Sequence, residues 1–320
     1  MMQTSLKLLS GESIPMLGLG TWTAPPGTMK TVIFSALKAG YRHIDAAFLY
    51  GNEKDIGEAL EESMKKLNIQ REDIFITTKC WCTHLRPEYV RKCCQMSLSD
   101  LRLPYVDLYL IHWPVAFQHS DVSFPRASNG HDFLLDDVPL LDTWKAMENL
   151  VDDGMVRAIG LSNFNRRQID TIMNGARIKP VNLQIEINAN FPNTKLVEYA
   201  QASGLTVTAY APLGSPSAAV WKDVIQGDKT NLLTASWVRE IAERHNKTSA
   251  QILLRYLLQR NIIVIPKSSN PKRIVENSKI FDFILTDDEM QVLNTSGLNE
   301  RQFKFPGMRP SKEYPFNDEF

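Results

Sequence analysis

Eight short β-rich runs alternate with eight longer amphipathic ones along this chain, and no other feature constrains its fold as tightly. The strand candidates are residues 16–18, 43–46, 74–79, 106–112, 156–161, 183–188, 205–211 and 262–266. Several are nearly continuous apolar runs, as parallel strands covered on both faces should be. Helical patterns fill the gaps at 28–39, 53–67, 87–101, 140–151, 165–173, 194–202, 249–259 and 271–278, with one more at 232–245. The second carries Ile56, Leu60 and Met64 at four-residue spacing, Pro87 opens the third, and Gly154 follows the fourth as a C-cap signal. Eight β–α units in 320 residues match a (β/α)8 barrel. A doubly wound sheet is the competing architecture, and it wants a Gly-rich turn after its first strand. Gly18-Leu19-Gly20 begins one, but Thr23 stands where the third glycine would be, and there is no P-loop pattern.

Ahead of the first unit, residues 6–9 and 13–16 flank Gly11-Glu12 and predict a hairpin plugging the barrel bottom. Three connections are too long for turns: 113–139, 212–231 and the tail 297–320. At the C-terminal ends of barrel strands they would form a substrate pocket. The expectation is one domain over residues 1–320. Its 36 basic and 36 acidic residues cancel, which argues against a polyanion such as nucleic acid as partner. No apolar run approaches the ~20 residues of a membrane span. Lys7 and Glu12 interrupt any leader-like segment, so a cytoplasmic protein with no membrane partner is expected. Four cysteines are too few for a disulfide scaffold, and Cys80-Trp81-Cys82-Thr83-His84 matches no zinc spacing, so no metal is expected.

Polar residues recur at or just past the strand ends, where a barrel interior should be apolar. They are Asp45, Lys79, His112, Ser162 and Asn163, Gln184 and Glu186, Tyr210, and Lys267 with Ser268. Singly each has a dull explanation as a cap, a surface charge or a satisfied core group. In a barrel they converge on one mouth. Asp45, Tyr50, Lys79 and His112 are chemically legible together. A phenol with pKa ~10 is a poor acid until a nearby ammonium stabilises its phenolate. Lys79 supplies that ammonium, Asp45 holds it, and His112 orients a carbonyl. The set suits protonating an alkoxide formed as a carbonyl is reduced, with the hydride coming from a cofactor. In Pro266-Lys267-Ser268-Ser269-Asn270-Pro271-Lys272-Arg273, a capped helix start with outward N–H groups and the two cations Lys267 and Arg273 suits a phosphate. Two cations favour a 2′-phosphate, hence NADP over NAD.

With these residues assembled, the chain resembles the aldo-keto reductases over nearly its whole length. The stretches that carry the likeness are Leu17-Gly18-Leu19-Gly20-Thr21-Trp22, Gly40-Tyr41-Arg42-His43-Ile44-Asp45-Ala46-Ala47 and Tyr50-Gly51-Asn52-Glu53. Thr78-Lys79, Leu110-Ile111-His112-Trp113-Pro114, Ile159-Gly160-Leu161-Ser162-Asn163-Phe164 and Gln184-Ile185-Glu186 follow. The last are Ala209-Tyr210-Ala211-Pro212-Leu213-Gly214, Ile265-Pro266-Lys267-Ser268 and Tyr314-Pro315-Phe316-Asn317.

The resemblance implies a monomeric barrel that reduces a small carbonyl substrate with NADPH, bound extended across the mouth and leaving as NADP+. Tyr50 would donate the proton, tuned by Asp45 and Lys79, while His112 orients the carbonyl. Gly20, Thr21, Trp22, Asp45 and Ala211 would line the cofactor seat. Ser162, Asn163 and Gln184 would hold the carboxamide, Tyr210 would stack on the ring, and Leu213 and Ser215 would meet the pyrophosphate. Lys267, Ser268, Ser269 and Arg273 would take the 2′-phosphate, with Glu276 and Asn277 at the adenine. Trp22, Leu49, Tyr50, Trp81, His112, Trp113, Phe124, Trp221 and Phe303 would wall the substrate pocket. The chain departs from many members at Asn188-Ala189, where His-Pro is common, and at Ala211, where Ser is common. Steroid or ecdysteroid ketones, lipid aldehydes, sugars and xenobiotic carbonyls all remain open as substrates. A cofactor-binding regulatory subunit with little turnover, and a Schiff-base aldolase using Lys79, are the alternatives.

Overall fold

The computed structural model describes residues 3–130, 132–215, 231–318 and 320. A hairpin comes first, β1 (Ser5–Lys7) pairing antiparallel with β2 (Ser13–Pro15). The repeat then runs β3 (Leu19–Gly20), α1 (Met29–Lys38), β4 (His43–Asp45), α2 (Glu53–Leu67), β5 (Phe75–Cys80), α3 (Pro87–Leu101) and β6 (Val106–Ile111). A small antiparallel pair follows, β7 (Ala116–Phe117) with β8 (Leu135–Asp136). The chain continues through α4 (Leu140–Asp152), β9 (Val156–Ser162), α5 (Arg166–Gly175), β10 (Asn182–Glu186), α6 (Thr194–Ala202) and β11 (Thr206–Tyr210). It ends with α7 (Ser236–His245), α8 (Ser249–Gln259), β12 (Ile262–Val264), α9 (Pro271–Asn277) and α10 (Asp287–Thr295).

Eight parallel strands order as β3-β4-β5-β6-β9-β10-β11-β12, each beside its sequence neighbour in the repeat. The two ends meet: Leu17 bridges Val264, Gly20 bridges Lys267, and the Gly18 amide donates to the Val264 carbonyl at 2.8 Å. That closure makes the sheet a (β/α)8 barrel with no open edge. Gly20 is required at the seam, because a Cβ there would sit 2.6 Å from the Ile265 carbonyl oxygen. The strands bury both faces, with Ile44, Ile76, Leu110, Ile159, Leu183 and Val207 all in the core. At the hairpin end, Leu8 and Ile14 pack with Phe75, Leu108 and Ile263 in a small cluster that plugs the bottom.

The first strand falls at Leu19–Gly20 rather than at 16–18, which instead form the closing seam. Asn231 turns the chain through 231–234, with its side chain accepting from the Leu233 amide, so α7 starts at Ser236 instead of 232. Helix α10 was not anticipated. Its signal is a capping box, in which Thr286 accepts from the Glu289 amide and Glu289 returns a bond to the Thr286 amide.

Three tethers bring the tail back over the mouth. Glu186, buried at the end of β10, accepts from the Gln302 amide at 2.9 Å and the Phe303 amide at 3.0 Å. Asn190 accepts from the Leu298 amide at 2.8 Å, and Asn165 donates to the Pro315 carbonyl at 3.1 Å. Asn188, one of the two departures, closes the local turn by accepting from the amides of Asn190 and Phe191. Among the described residues, no helix is long and apolar enough to cross a membrane.

Candidate active site

Side chains alternate across a strand, so in β5 Thr77 and Lys79 face the barrel interior while Thr78 faces the helices. Lys79 is fully buried, and its ammonium uses all three of its donors. It donates to Asp45 Oδ1 at 2.6 Å, the Ala46 carbonyl at 2.8 Å and Tyr50 Oη at 3.2 Å. Gln184, from the far wall, donates to the other Asp45 oxygen at 2.7 Å. A buried ion pair is a poor device for stability, because desolvation offsets most of its attraction. Its placement at the mouth is the more telling fact.

Tyr50 reaches this pair from the 3-10 turn Phe48–Tyr50 just past β4, which Gly51 closes in the left-handed conformation. Its oxygen accepts from Lys79, so its own hydrogen is left to point elsewhere. Burial, then the Asp45 charge, push the phenol well above 10. The shift is opposite to the lowering expected from Lys79, because burial and the Asp45 carboxylate both act upward. The phenol therefore stays protonated across the neutral range and carries a proton to give. Burial lowers the Lys79 pKa, and Asp45 opposes that.

His112, just past β6, lies edge-on between Trp81 (centroids 5.2 Å apart) and Tyr50 (5.8 Å). Burial, then Lys79, hold its pKa well below 6.5, so the ring is neutral. Its Nδ1 has no hydrogen-bond partner among the described residues. A bare lone pair there costs less than a bare N–H, so the proton belongs on Nε2. That leaves a neutral donor at the other ring nitrogen.

At the neighbouring strand ends, Asn163 donates to the His112 carbonyl at 3.0 Å and to Ser162 Oγ at 3.2 Å, and accepts from Tyr210 Oη at 2.8 Å. Further round the rim, Asn270 caps α9 by accepting from the Lys272 and Arg273 amides at 2.9 and 3.3 Å. Those N–H groups were expected to face outward for an anion. The cap consumes them, and Pro271 has none, so the positive character rests on side chains. Lys267 and Arg273 lie close enough for burial and Arg273 to lower the Lys267 pKa. Among the described residues neither has an ion-pair partner.

One cleft joins these places. It runs from Gly20, Thr21, Trp22, Asp45, Leu49, Tyr50 and His112 past Ser162, Asn163, Gln184 and Tyr210. It continues by Ala211, Leu213 and Ser215 to Lys267, Ser268, Ser269, Arg273, Glu276 and Asn277. Trp113, Phe303 and Phe305 line its apolar side.

These residues can be set beside known proteins. A model of the aldo/keto reductase family matches residues 16–296. This chain belongs to the aldo/keto reductase family. The reductase is accordingly an oxidoreductase that acts on carbonyl groups. It is 44% identical over 323 residues to human aldo-keto reductase family 1 member A1, covering 98% of both chains. It is 46% identical over 301 residues to member A1-A from Danio rerio, covering 94% of this chain and 91% of that one. Among solved structures it is similar to the aldose reductase from Schistosoma japonicum, with TM-score 0.93 and 57% identity, covering 99% of this chain and 100% of that one.

Trp81 and Phe124 stand one layer behind the cleft of the reductase. Trp81 is fully buried and donates to the Ser123 carbonyl at 2.6 Å, and Phe124 stacks on Phe305 at 5.8 Å. Trp221 lies outside the described residues. Glu186 turns away from the chemistry to anchor the tail. Phe305 is not among the residues that sequence motifs single out, yet it packs against Trp81, Trp113, Phe124 and Phe133. Its one sequence signal is that it stands two residues after Phe303, in a tail that must lie across an apolar mouth. No group of three or more His, Cys, Asp or Glu placed to hold a metal ion occurs among the described residues.

Proposed function

We propose that this reductase converts aldehydes or ketones to alcohols with NADPH, and that Tyr50 is the proton donor. The observation that carries the reading is the Gln184–Asp45–Lys79–Tyr50 hydrogen-bond chain, which opens on the cleft. The donor set of the cleft fits NADPH. Two cations free of ion-pair partners among the described residues stand at one end for a phosphate, and polar side chains stand at the other for a carboxamide. Lys267, Ser268, Ser269 and Arg273 would hold the 2′-phosphate, and Ser162, Asn163 and Gln184 would hold the nicotinamide carboxamide. When bound, NADPH supplies the hydride.

The chain's own residues do the rest. His112 donates from Nε2 to the substrate carbonyl oxygen and orients it. That hydrogen bond strengthens as negative charge builds on the oxygen. Tyr50 gives its proton to the same oxygen, and Lys79, already donating to Tyr50 Oη, stabilises the phenolate left behind. Asp45, held by Gln184, keeps the Lys79 ammonium in place. Trp22, Trp113, Phe303 and Phe305 exclude water and favour an apolar aldehyde or ketone over a free sugar. We read residues 1–320 as one domain, with 113–139 and 297–320 supplying the apolar wall.

Mixing the protein with NADPH and an aromatic aldehyde should deplete the nicotinamide absorbance and yield the alcohol. NADPH binding without turnover across a broad carbonyl panel would instead favour a regulatory subunit.

A further inference from the structure

Glu53 is a buried carboxylate that the reaction above does not use. It is the first residue of α2, only 3% exposed, and stands three residues beyond Tyr50. It lies between the barrel wall and the helices. Its Oε1 accepts from Thr78 on β5 and its Oε2 accepts from Ser97 on α3 at 2.8 Å. Thr78 is the neighbour of Lys79, with its side chain on the opposite face of the strand. The short segment carrying Tyr50 is thus fastened on one side by Asn52, which donates to the Thr21 carbonyl at 2.9 Å, and on the other by Glu53. A buried carboxylate is a costly clamp, since an amide would make the same two bonds without desolvating a charge.

The charges around it explain what the carboxylate adds. Across the barrel wall it feels the charge of Lys79 on β5, and from α3 it faces Cys93, Cys94 and Asp100. Lys79 is the cation of this group. Burial, chiefly, pushes the Glu53 carboxyl up to about 7, and its bonds from Thr78 and Ser97 oppose that rise. The negative charge is therefore absent below neutrality and present above it. In turn it opposes the loss of the proton from Lys79.

We propose that Glu53 is a positioning residue for the reduction: it fastens the Tyr50 turn to the Lys79 strand and, behind the barrel wall, lends Lys79 a second negative charge besides Asp45. It touches neither substrate nor cofactor and acts through Lys79. The inference rests on the catalytic reading of Tyr50 and Lys79 given above.

Glu53→Gln separates the two roles, because the amide oxygen still accepts from Thr78 and its NH2 donates to Ser97 Oγ. The clamp is kept and the charge is lost. Wild type and Glu53→Gln are compared over the pH range for kcat, for the KM of NADPH and for the thermal midpoint. The kcat profiles should coincide below about pH 6, where both side chains are neutral. Above about pH 7 the variant's basic limb should fall earlier, by about half a unit, with the KM of NADPH unchanged. Titrating the Lys79 amine by NMR with isotope-labelled lysine should show the same downward shift, and this readout needs no turnover. A wild type without carbonyl turnover would refute the catalytic reading, while the Lys79 titration would still decide the coupling. Superimposable basic limbs and an unmoved Lys79 titration would overturn the proposal. So would Glu53→Leu, if it lowered the thermal midpoint while leaving kcat within about twofold.

Discussion

The mouth of this barrel has two sides built on different principles. On the polar side, Asp45, Lys79, His112 and Tyr210 sit at or beside strand ends and Gln184 lies within β10, and ladder register fixes them: Gly20 opposite Asp45, Asp45 opposite Thr77, Lys79 opposite Leu110, Gln184 opposite Ser162. On the aromatic side, Trp113, Phe303 and Phe305 come from a loop and a tail, and packing among rings fixes them. Register is set by backbone bonds shared with the whole sheet and does not depend on which side chain projects from it. Ring packing depends on every neighbour. The polar side should therefore answer single substitutions with large chemical effects and an intact frame. The aromatic side should answer with repacking and modest changes in rate.

The largest expected loss is on the polar side. Lys79→Met or Asp45→Asn should lower kcat by about a thousandfold, in line with the loss of a positioned proton donor's support. The barrel should stay folded, as read by circular dichroism. A loss below tenfold would break the contrast. Next is the phosphate end of the same rim. Lys267→Ala or Arg273→Ala should weaken NADPH binding by about tenfold or more, as each removes a charge-assisted bond. NADH, lacking the 2′-phosphate, should be little affected in the same titration. On the aromatic side, Phe305→Ala should change kcat/KM for a small aldehyde by less than about tenfold. Its thermal midpoint should fall, because a ring buried against four others leaves a cavity.

The smallest effect on rate concerns pH and stability. His43, inside the barrel below Asp45, is pushed down from 6.5 to about 4, mainly by burial. A group with a lowered folded-state value stabilises the fold fully above its unfolded value and loses that contribution as pH falls through the folded one. Stability should drop between pH 6.5 and 4, by about 3 kcal/mol at most from this residue. Thermal midpoints of His43→Asn should show a shallower slope over that window.

Much of the polar side could be read from the chain. Asp45, Lys79, His112 and Gln184 stand out because a charged or amide group in an otherwise apolar strand is conspicuous, and the barrel topology says where it points. Helices 53–67, 87–101, 194–202 and 249–259 have the bounds their apolar spacing and caps predict. The sequence was silent where partners lie far along the chain. Glu186 looks like another site residue until its bonds to Gln302 and Phe303, over a hundred positions away, show it as an anchor. The start of α9 reads in sequence as open helix amides, but the Asn270 side chain folds back onto them, a local choice that spacing does not reveal. Phe305 hides because its role depends on four rings from other segments. Its left-handed backbone, with φ of 47°, is invisible in the letter Phe.

In the proposed reaction Tyr50, oriented by the bond it accepts from Lys79, delivers the proton. Tyr50→Phe removes one oxygen and leaves the ring beside His112 and Trp22. NADPH affinity and reduction of an aromatic aldehyde should be measured on the same preparation of the variant. NADPH affinity should stay within about threefold of wild type while kcat falls by about a thousandfold or more. A variant that binds NADPH and turns over the aldehyde within tenfold of wild type would contradict it.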